Sequence, residues 1–173
     1  MTVTLRDARG SDNDCTWIRA AYRDYLSELS ASRSGIMPGS GEWQSRDDEF
    51  LAGWFRDPAA QPFVILVNGA RAGFAVVTRL PASPRGEADF RMSEFFVLPG
   101  ARGRGVGALA ATLLFSRFEG AWEVLEDENN RAALAFWRRV IGAQVAGRYR
   151  ETREAGQICQ RFRSAVRPPE PAS

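Results

Sequence analysis

The chain reads as a mixed α/β (α+β) domain on three observations. Segments with helical spacing fall between β-rich runs, in the order β-α-α-β-β-β-α-β-α-β-β. Two of those runs flank Asn68-Gly69, a tight-turn pair that marks an antiparallel hairpin over residues 61–80. A strongly helical stretch, 106–118, connects a strand at 88–98 to another at 121–127 as a crossover.

Each element follows from its own residues. Residues 2–8 alternate apolar and polar, a short strand. Cap oxygens in "SDND" precede Trp17, Ile18, Ala21, Tyr22, Tyr25, Leu26 and Leu29 at helical spacing, so a first helix runs to near Ser30. The glycines and proline of 32–44 make a loop that carries Met37 and Trp43. Ser45 and Asp48 approach a capping box for a second helix that places Phe50, Leu51, Trp54 and Phe55 on one face. After the hairpin, "PASPRGE" is a loop and "ADFRMSEFFVL" a long strand. "AWEVLED" is a buried strand, followed by an amphipathic helix over 129–142, with Asn129 as cap and Gly142 near its end. "AQVAGRYRE" and "QICQRFRS" alternate as two final strands. One domain over 1–165 and a disordered tail over 166–173 are expected from 173 residues that are 45% hydrophobic and 25% charged.

Two missing residue types limit the chemistry. There is no histidine, and all 23 basic residues are arginine. Ser–His and Cys–His nucleophilic pairs are excluded, as are a lysine Schiff base and a Walker phosphate loop. With only Cys15 and Cys159, no zinc site is expected, no other metal site is called, and a reducing, cytoplasmic setting is the default. Acid–base work must rest on Asp, Glu, Tyr, Cys, the N-terminus or water. A net charge of +2 gives no case for nucleic acid. No apolar run reaches membrane-spanning length, and the first residues lack a secretory apolar core, so no membrane partner is expected.

The most informative stretch is "VLPGARGRGVG", residues 97–107. A helix that begins at such a loop has first-turn N–H groups without intrahelical partners and a partial positive charge, which together favour an anion. Gly103, Gly105 and Gly107 remove side chains from its approach, and Arg102 and Arg104 add charged donors. A pyrophosphate fits, and it has two common owners. One is a dinucleotide: "GRGVGA" satisfies G-x-G-x-x-A, and Glu126 follows about 20 residues on. Yet "LPGAR" separates strand from glycine, and the upstream hairpin does not suit a doubly wound sheet. The other owner is coenzyme A.

Here the sequence resembles the GNAT superfamily of acyl-CoA N-acyltransferases. "FFVLPGARGRGVGALA" is similar to its motif A, R/Q-x-x-G-x-G/A, with Arg102, Gly105 and Gly107 at the specified positions. "NNRAALAFWRRVIGAQV" resembles motif B, matching at Asn130, Ala133, Phe136 and Gly142. The resemblance covers about residues 2–165. It implies a central, mixed, mostly antiparallel sheet of six to seven strands flanked by about four helices.

It also implies roles. Acetyl-CoA would be the co-substrate, and an amine the acceptor, attacking directly in a ternary complex. Pantetheine would lie along Phe95, Phe96 and Val97, with a backbone N–H near Phe96 or Val97 polarising the thioester carbonyl. Amides of Arg102, Gly103, Arg104, Gly105, Val106 and Gly107 would cradle the pyrophosphate. Asn130 would face the pantetheine or the reacting centre. Glu94, a carboxylate inside the apolar "MSEFFVL", is the candidate base, since burial makes a carboxylate a better base. Many relatives carry tyrosine at the position of Trp137, where a phenol can protonate the leaving thiolate. Indole cannot, so another group or water must serve, or the thiolate leaves unassisted; Trp137 would then pack on the pantetheine or in the core. Glu126, Asp127 and Glu128 lie near the expected cleft as attractors for a cationic amine or as acids at a helix start. Tyr22 and Tyr25 fit the core by spacing, with hydroxyls that can reach the cleft. The other readings are a nicotinamide-binding Rossmann-type oxidoreductase and a non-catalytic CoA-binding domain. The last strands can pair across a homodimer.

Overall fold

The computed structural model of the protein describes residues 1–31, 42–82 and 88–164, with the side chains of 28–31 and 42–48 outside that description. Of the loop expected over 32–44, residues 32–41 lie outside the described residues, while 42–44, Trp43 among them, belong to a helix and not to the loop; most of "PASPRGE" and the tail at 166–173 also lie outside.

Among the described residues seven strands form one sheet. In chain order the elements are β1 (Val3–Asp7), α1 (Asp12–Ala31), α2 (Glu42–Arg56), β2 (Ala60–Val67), β3 (Ala70–Arg79), β4 (Phe90–Val97), a 3-10 turn (Pro99–Ala101), α3 (Val106–Arg117), β5 (Gly120–Asp127), α4 (Arg131–Gln144), β6 (Arg150–Glu154) and β7 (Gln157–Ser164). The strands lie side by side as β1-β2-β3-β4-β5-β7-β6. β4 and β5 run parallel, joined by α3 as crossover; the remaining neighbours are antiparallel.

The sheet is covered on both faces. In β2, Phe63, Val64 and Ile65 are all fully buried, which explains a continuous apolar run instead of an alternating one. Phe63 joins Phe90, Met92, Leu114, Phe115, Trp122, Trp137 and Phe162 in the core under α3 and α4. Val64 joins Ile18, Tyr22, Leu51, Trp54, Phe74 and Phe96 under α1 and α2. Phe115 meets Trp122 edge-on at 4.9 Å and Phe162 at 4.8 Å, so aromatic geometry locks α3 to β5 and β7. Among the described residues no helix is long and apolar enough to cross a membrane.

The β2–β3 hairpin turns at Asn68 and Gly69, both at positive φ, as that dipeptide favours. Three local expectations shift. α2 begins at Glu42, ahead of Ser45. α4 continues past Gly142 to Gln144, and the chain leaves it through Ala146 and Gly147, both at positive φ. The sixth strand is therefore 150–154, not the alternating run that starts at Ala143, because packing of Val140, Ile141 and Val145 keeps that stretch on the helix and its cap.

Candidate active site

The site originates in one extra residue. Val77 pairs with Met92 and Val76 with Glu94, so Ser93 has no partner on β3 and forms a bulge; its hydroxyl meets that of Thr78 at 2.7 Å. The bulge resets the alternation. Phe90 and Met92 point to the α3/α4 core, while Phe96 points to the α1/α2 core. Glu94 follows Phe96 and comes to face α1. Strict alternation would send it the other way.

At the same place β4 parts from β5. Their parallel pairing spans only Phe90–Trp122, Arg91–Glu123 and Met92–Val124. The Leu98 N–H donates to the Ala72 carbonyl at 2.8 Å. Alternation along the ladder then turns the amides of Glu94 and Phe96 to β3, and those of Phe95 and Val97 toward the gap. Of the two amides singled out from the sequence as carbonyl donors, Val97's faces the opening and Phe96's is bonded within the sheet. The Phe96 side chain is buried.

The gap holds two adjoining chambers. One, of about 470 Å³, lies between α1 and the end of β5 and exposes Glu94, Ser93 and Asp127. The other, of about 700 Å³, runs from Val97 to the start of α3 and exposes Arg102, Gly103, Gly105, Val106 and Gly107. Tyr25, Phe95, Glu126, Asn130 and Trp137 face both.

The second chamber ends at an anion-ready helix start. Gly105 caps α3 at φ +80° with no side-chain cap bond, and the first helical bond is from Leu109 N–H to the Gly105 carbonyl at 3.0 Å. The amides of Val106, Gly107 and Ala108 are thus available to a ligand. Gly107 serves packing: a Cβ there would lie 3.2 Å from the Phe136 ring. Arg102 Nε donates to the Val97 carbonyl at 2.7 Å, and its guanidinium lies over Phe96. Arg104 donates to the Gly100 carbonyl at 2.9 Å. Both arginines therefore shape the loop as well as charging it.

The first chamber carries the titratable groups. Burial pushes the Glu94 carboxyl up from its ordinary 4.5 to about 7; the Tyr25 hydroxyl, which donates to it, pulls the other way, and the charge of Glu126 adds to the rise. Burial, with the charges of Glu94 and Glu126, holds the Tyr25 phenol above its usual value. Glu126 is raised chiefly by burial, against bonds from Asn130 and the Asp127 amide. Asn130, not Asn129, caps α4: its Oδ1 accepts from Ala133 N–H at 3.3 Å, and its Nδ2 donates to Glu126 Oε1 at 3.0 Å. Trp137 is buried, edge-on to Phe95 at 5.1 Å. Sequence spacing put Tyr25 with the core, and its ring is there; the signal for its hydroxyl lay only in the pairing with Glu94. Among the described residues no cluster of three or more metal-ligating side chains occurs.

Comparison with known proteins agrees with this architecture. The family model described as the acetyltransferase (GNAT) family matches residues 17–143. An acetyltransferase from Thermus thermophilus superposes with a TM-score of 0.66 at 18% identity, over 94% of this chain and 97% of that one. A GNAT-family acetyltransferase from Streptococcus agalactiae gives 0.68 at 12% identity, over 94% and 96%. PaiA N-acetyltransferase from Thermoplasma acidophilum, solved in complex with coenzyme A, gives 0.61 at 8% identity, over 94% and 99%. No curated relative matches the sequence. The nicotinamide alternative is not favoured: a 3-10 turn separates β4 from the glycines, and among the described residues the sheet has a single parallel pair where a doubly wound fold has several.

Proposed function

Because the chain belongs to the GNAT acetyltransferase family, we propose that it transfers an acetyl group from acetyl-CoA to a primary amine, of a small molecule or an exposed protein residue, by direct attack in a ternary complex. The unit that does so spans residues 1–165. One observation carries the reading: the β4–β5 gap joins a carboxylate titrating near neutrality to a helix start with free amides.

In this reading the pyrophosphate of acetyl-CoA rests on the amides at the start of α3, between Gly103 and Gly107, where no side chain intrudes. The pantetheine lies along Phe95–Val97 and takes up amides that β5 has left unpaired. The Val97 N–H polarises the thioester carbonyl; one such donor contributes about 3 kcal/mol to a barrier of this kind. Asn130 and Trp137 wall the channel where the two substrates meet. Glu94 accepts a proton from the attacking amine, which must be neutral to react. A carboxylate near 7 is half ionised at neutral pH, and such a base contributes about 10²–10⁴-fold.

Thermal unfolding with acetyl-CoA, CoA and NAD side by side tests the class. A ligand at about 100 times its Kd stabilises by about 2.7 kcal/mol. Stabilisation by acetyl-CoA and CoA, followed by thiol release on addition of primary amines, is the expected result. Stabilisation by NAD alone overturns it.

A further inference from the structure

Acyl transfer releases a thiolate that ends as a free thiol, and the indole of Trp137 is no acid for it. Resting on the acetyl-transfer reading above, we propose that Tyr25, entering from α1, donates that proton and works with Glu94 as a single relay.

Position makes the case. Glu94 lines the first chamber, and Val97 with the glycine loop lines the second. A proton held on Glu94 lies on the side of the first chamber, and a group that borders both chambers can return one toward the sulfur. Tyr25 faces both chambers, and its hydroxyl is near enough to Glu94 to oppose the rise of that carboxyl. Its ring is fixed by Phe96 at 5.3 Å, Tyr22 at 5.8 Å and Phe74 at 6.1 Å, which leaves the hydroxyl end as the part in the cavity. The other shared side chains serve less well. Phe95 and Trp137 offer no acidic proton. Both polar atoms of Asn130 are engaged, with Ala133 N–H and Glu126. Glu126 is the competitor, its Oε1 already accepting from Asn130 Nδ2 and Asp127 N–H.

The protons balance. The neutral amine attacks the thioester carbon and the C–N bond forms. The nitrogen's surplus proton passes to the Glu94 carboxylate. As the C–S bond breaks, sulfur takes the Tyr25 hydroxyl proton, and Tyr25 recovers one from Glu94. The products are an amide and a free thiol, with both residues restored. The net transfer, from a carboxyl near 7 to the thiolate of a thiol near ~8.5, is downhill. The weak acidity of Tyr25 by itself is no obstacle, since it gives and receives in one step.

The test uses CoA bound to wild type, Tyr25→Phe and Glu126→Gln, with the ultraviolet absorbance of its thiolate followed against pH. The titratable groups facing the relay are Tyr22 from α1 and Glu126 and Asp127 from β5. Phenylalanine keeps the ring packing, so Tyr25→Phe is expected to fold and to bind CoA with an unchanged Kd. Its bound thiol should titrate about one pH unit higher than in wild type, because the donor that stabilised the thiolate is gone. With an amine that wild type acetylates, kcat should fall about 10²-fold at constant KM for acetyl-CoA. A thiol that titrates alike in wild type and Tyr25→Phe, or rises in Glu126→Gln instead, overturns the relay while the acetyl-transfer reading stands. CoA that binds neither wild type nor variant overturns both.

Discussion

Replacing Glu94 by glutamine should make the protein more stable and a worse catalyst. The carboxyl titrates near 7 in the folded state against an ordinary 4.5. Below 4.5 neither state carries the charge, and the substitution is neutral. Between the two values the unfolded chain releases its proton while the folded protein keeps it, so stability falls as pH rises. Above 7 the full cost applies. At 1.36 kcal/mol per pH unit that is about 3 kcal/mol, which water in the open cavity lessens to about 2. Glutamine keeps the size and can still accept from Tyr25 but is never charged. Urea unfolding of the two proteins across the range from about pH 4 to 8.5 reads the difference directly. For a chain of this length about 2 kcal/mol corresponds to a rise of roughly 4–8 °C in Tm at the alkaline end. Glu126 contributes pH dependence of the same sign to both proteins, and because its charge adds to the rise of Glu94, the difference reports Glu94 together with that coupling. Curves that coincide at alkaline pH, or a less stable variant there, would refute the claim that this carboxylate is held in an unfavourable setting. Acetyl transfer should meanwhile drop about 10²–10⁴-fold.

Three further outcomes follow from the same geometry. Gly105→Ala meets no atom within 4 Å, so its cost is backbone strain at φ +80°, about 1–2 kcal/mol; Gly105→Asn should cost less, and equal losses would contradict that cause. Gly107→Val drives a side chain into the Phe136 ring and toward Val97, about 1–3 kcal/mol by urea midpoint, and an unchanged midpoint would mean that α4 yields freely. Asp14 is buried between Arg6, at 2.7 and 2.9 Å, and Arg71, at 2.6 and 3.1 Å. The Arg6 bond, more than any other contact, holds its carboxyl below the ordinary 3.8. Asp14→Asn should cost about 2–3 kcal/mol near neutrality, and the two proteins should converge as pH falls through the depressed folded value; a constant gap down to about pH 2 would argue for packing alone.

Local features were legible before the fold was known. The glycines of 103–107, the Asn68-Gly69 turn and the helical period of 106–118 each depend on a few neighbouring residues. So does Glu94 as the odd carboxylate in an apolar strand. What escaped the sequence is set by distant contacts. The unpaired Ser93 can be recognised only once β3 supplies the register, and that residue decides which face Glu94 takes. Tyr25 joins Glu94 across almost seventy residues, and helical spacing records only that its ring packs inward. The shift of β6 has the same origin, since "AQVAG" alternates like a strand yet belongs to the end of a helix pinned by Val140 and Ile141.

A sheet ordinarily has two rims, and this one has a third inside it. The outer rim at β6 reads Arg150-Glu151-Thr152-Arg153-Glu154, a row of charges that discourages a foreign strand from docking. The inner rim, Phe95 to Val97, carries no charge at all, although its amides are as ready to pair. It lies inward, in the gap lined by residues of α1, α4 and the glycine loop. Adhesive backbone that would be a hazard on the outside of the molecule thereby becomes usable within it, and the stray serine of β4 is what opens that rim.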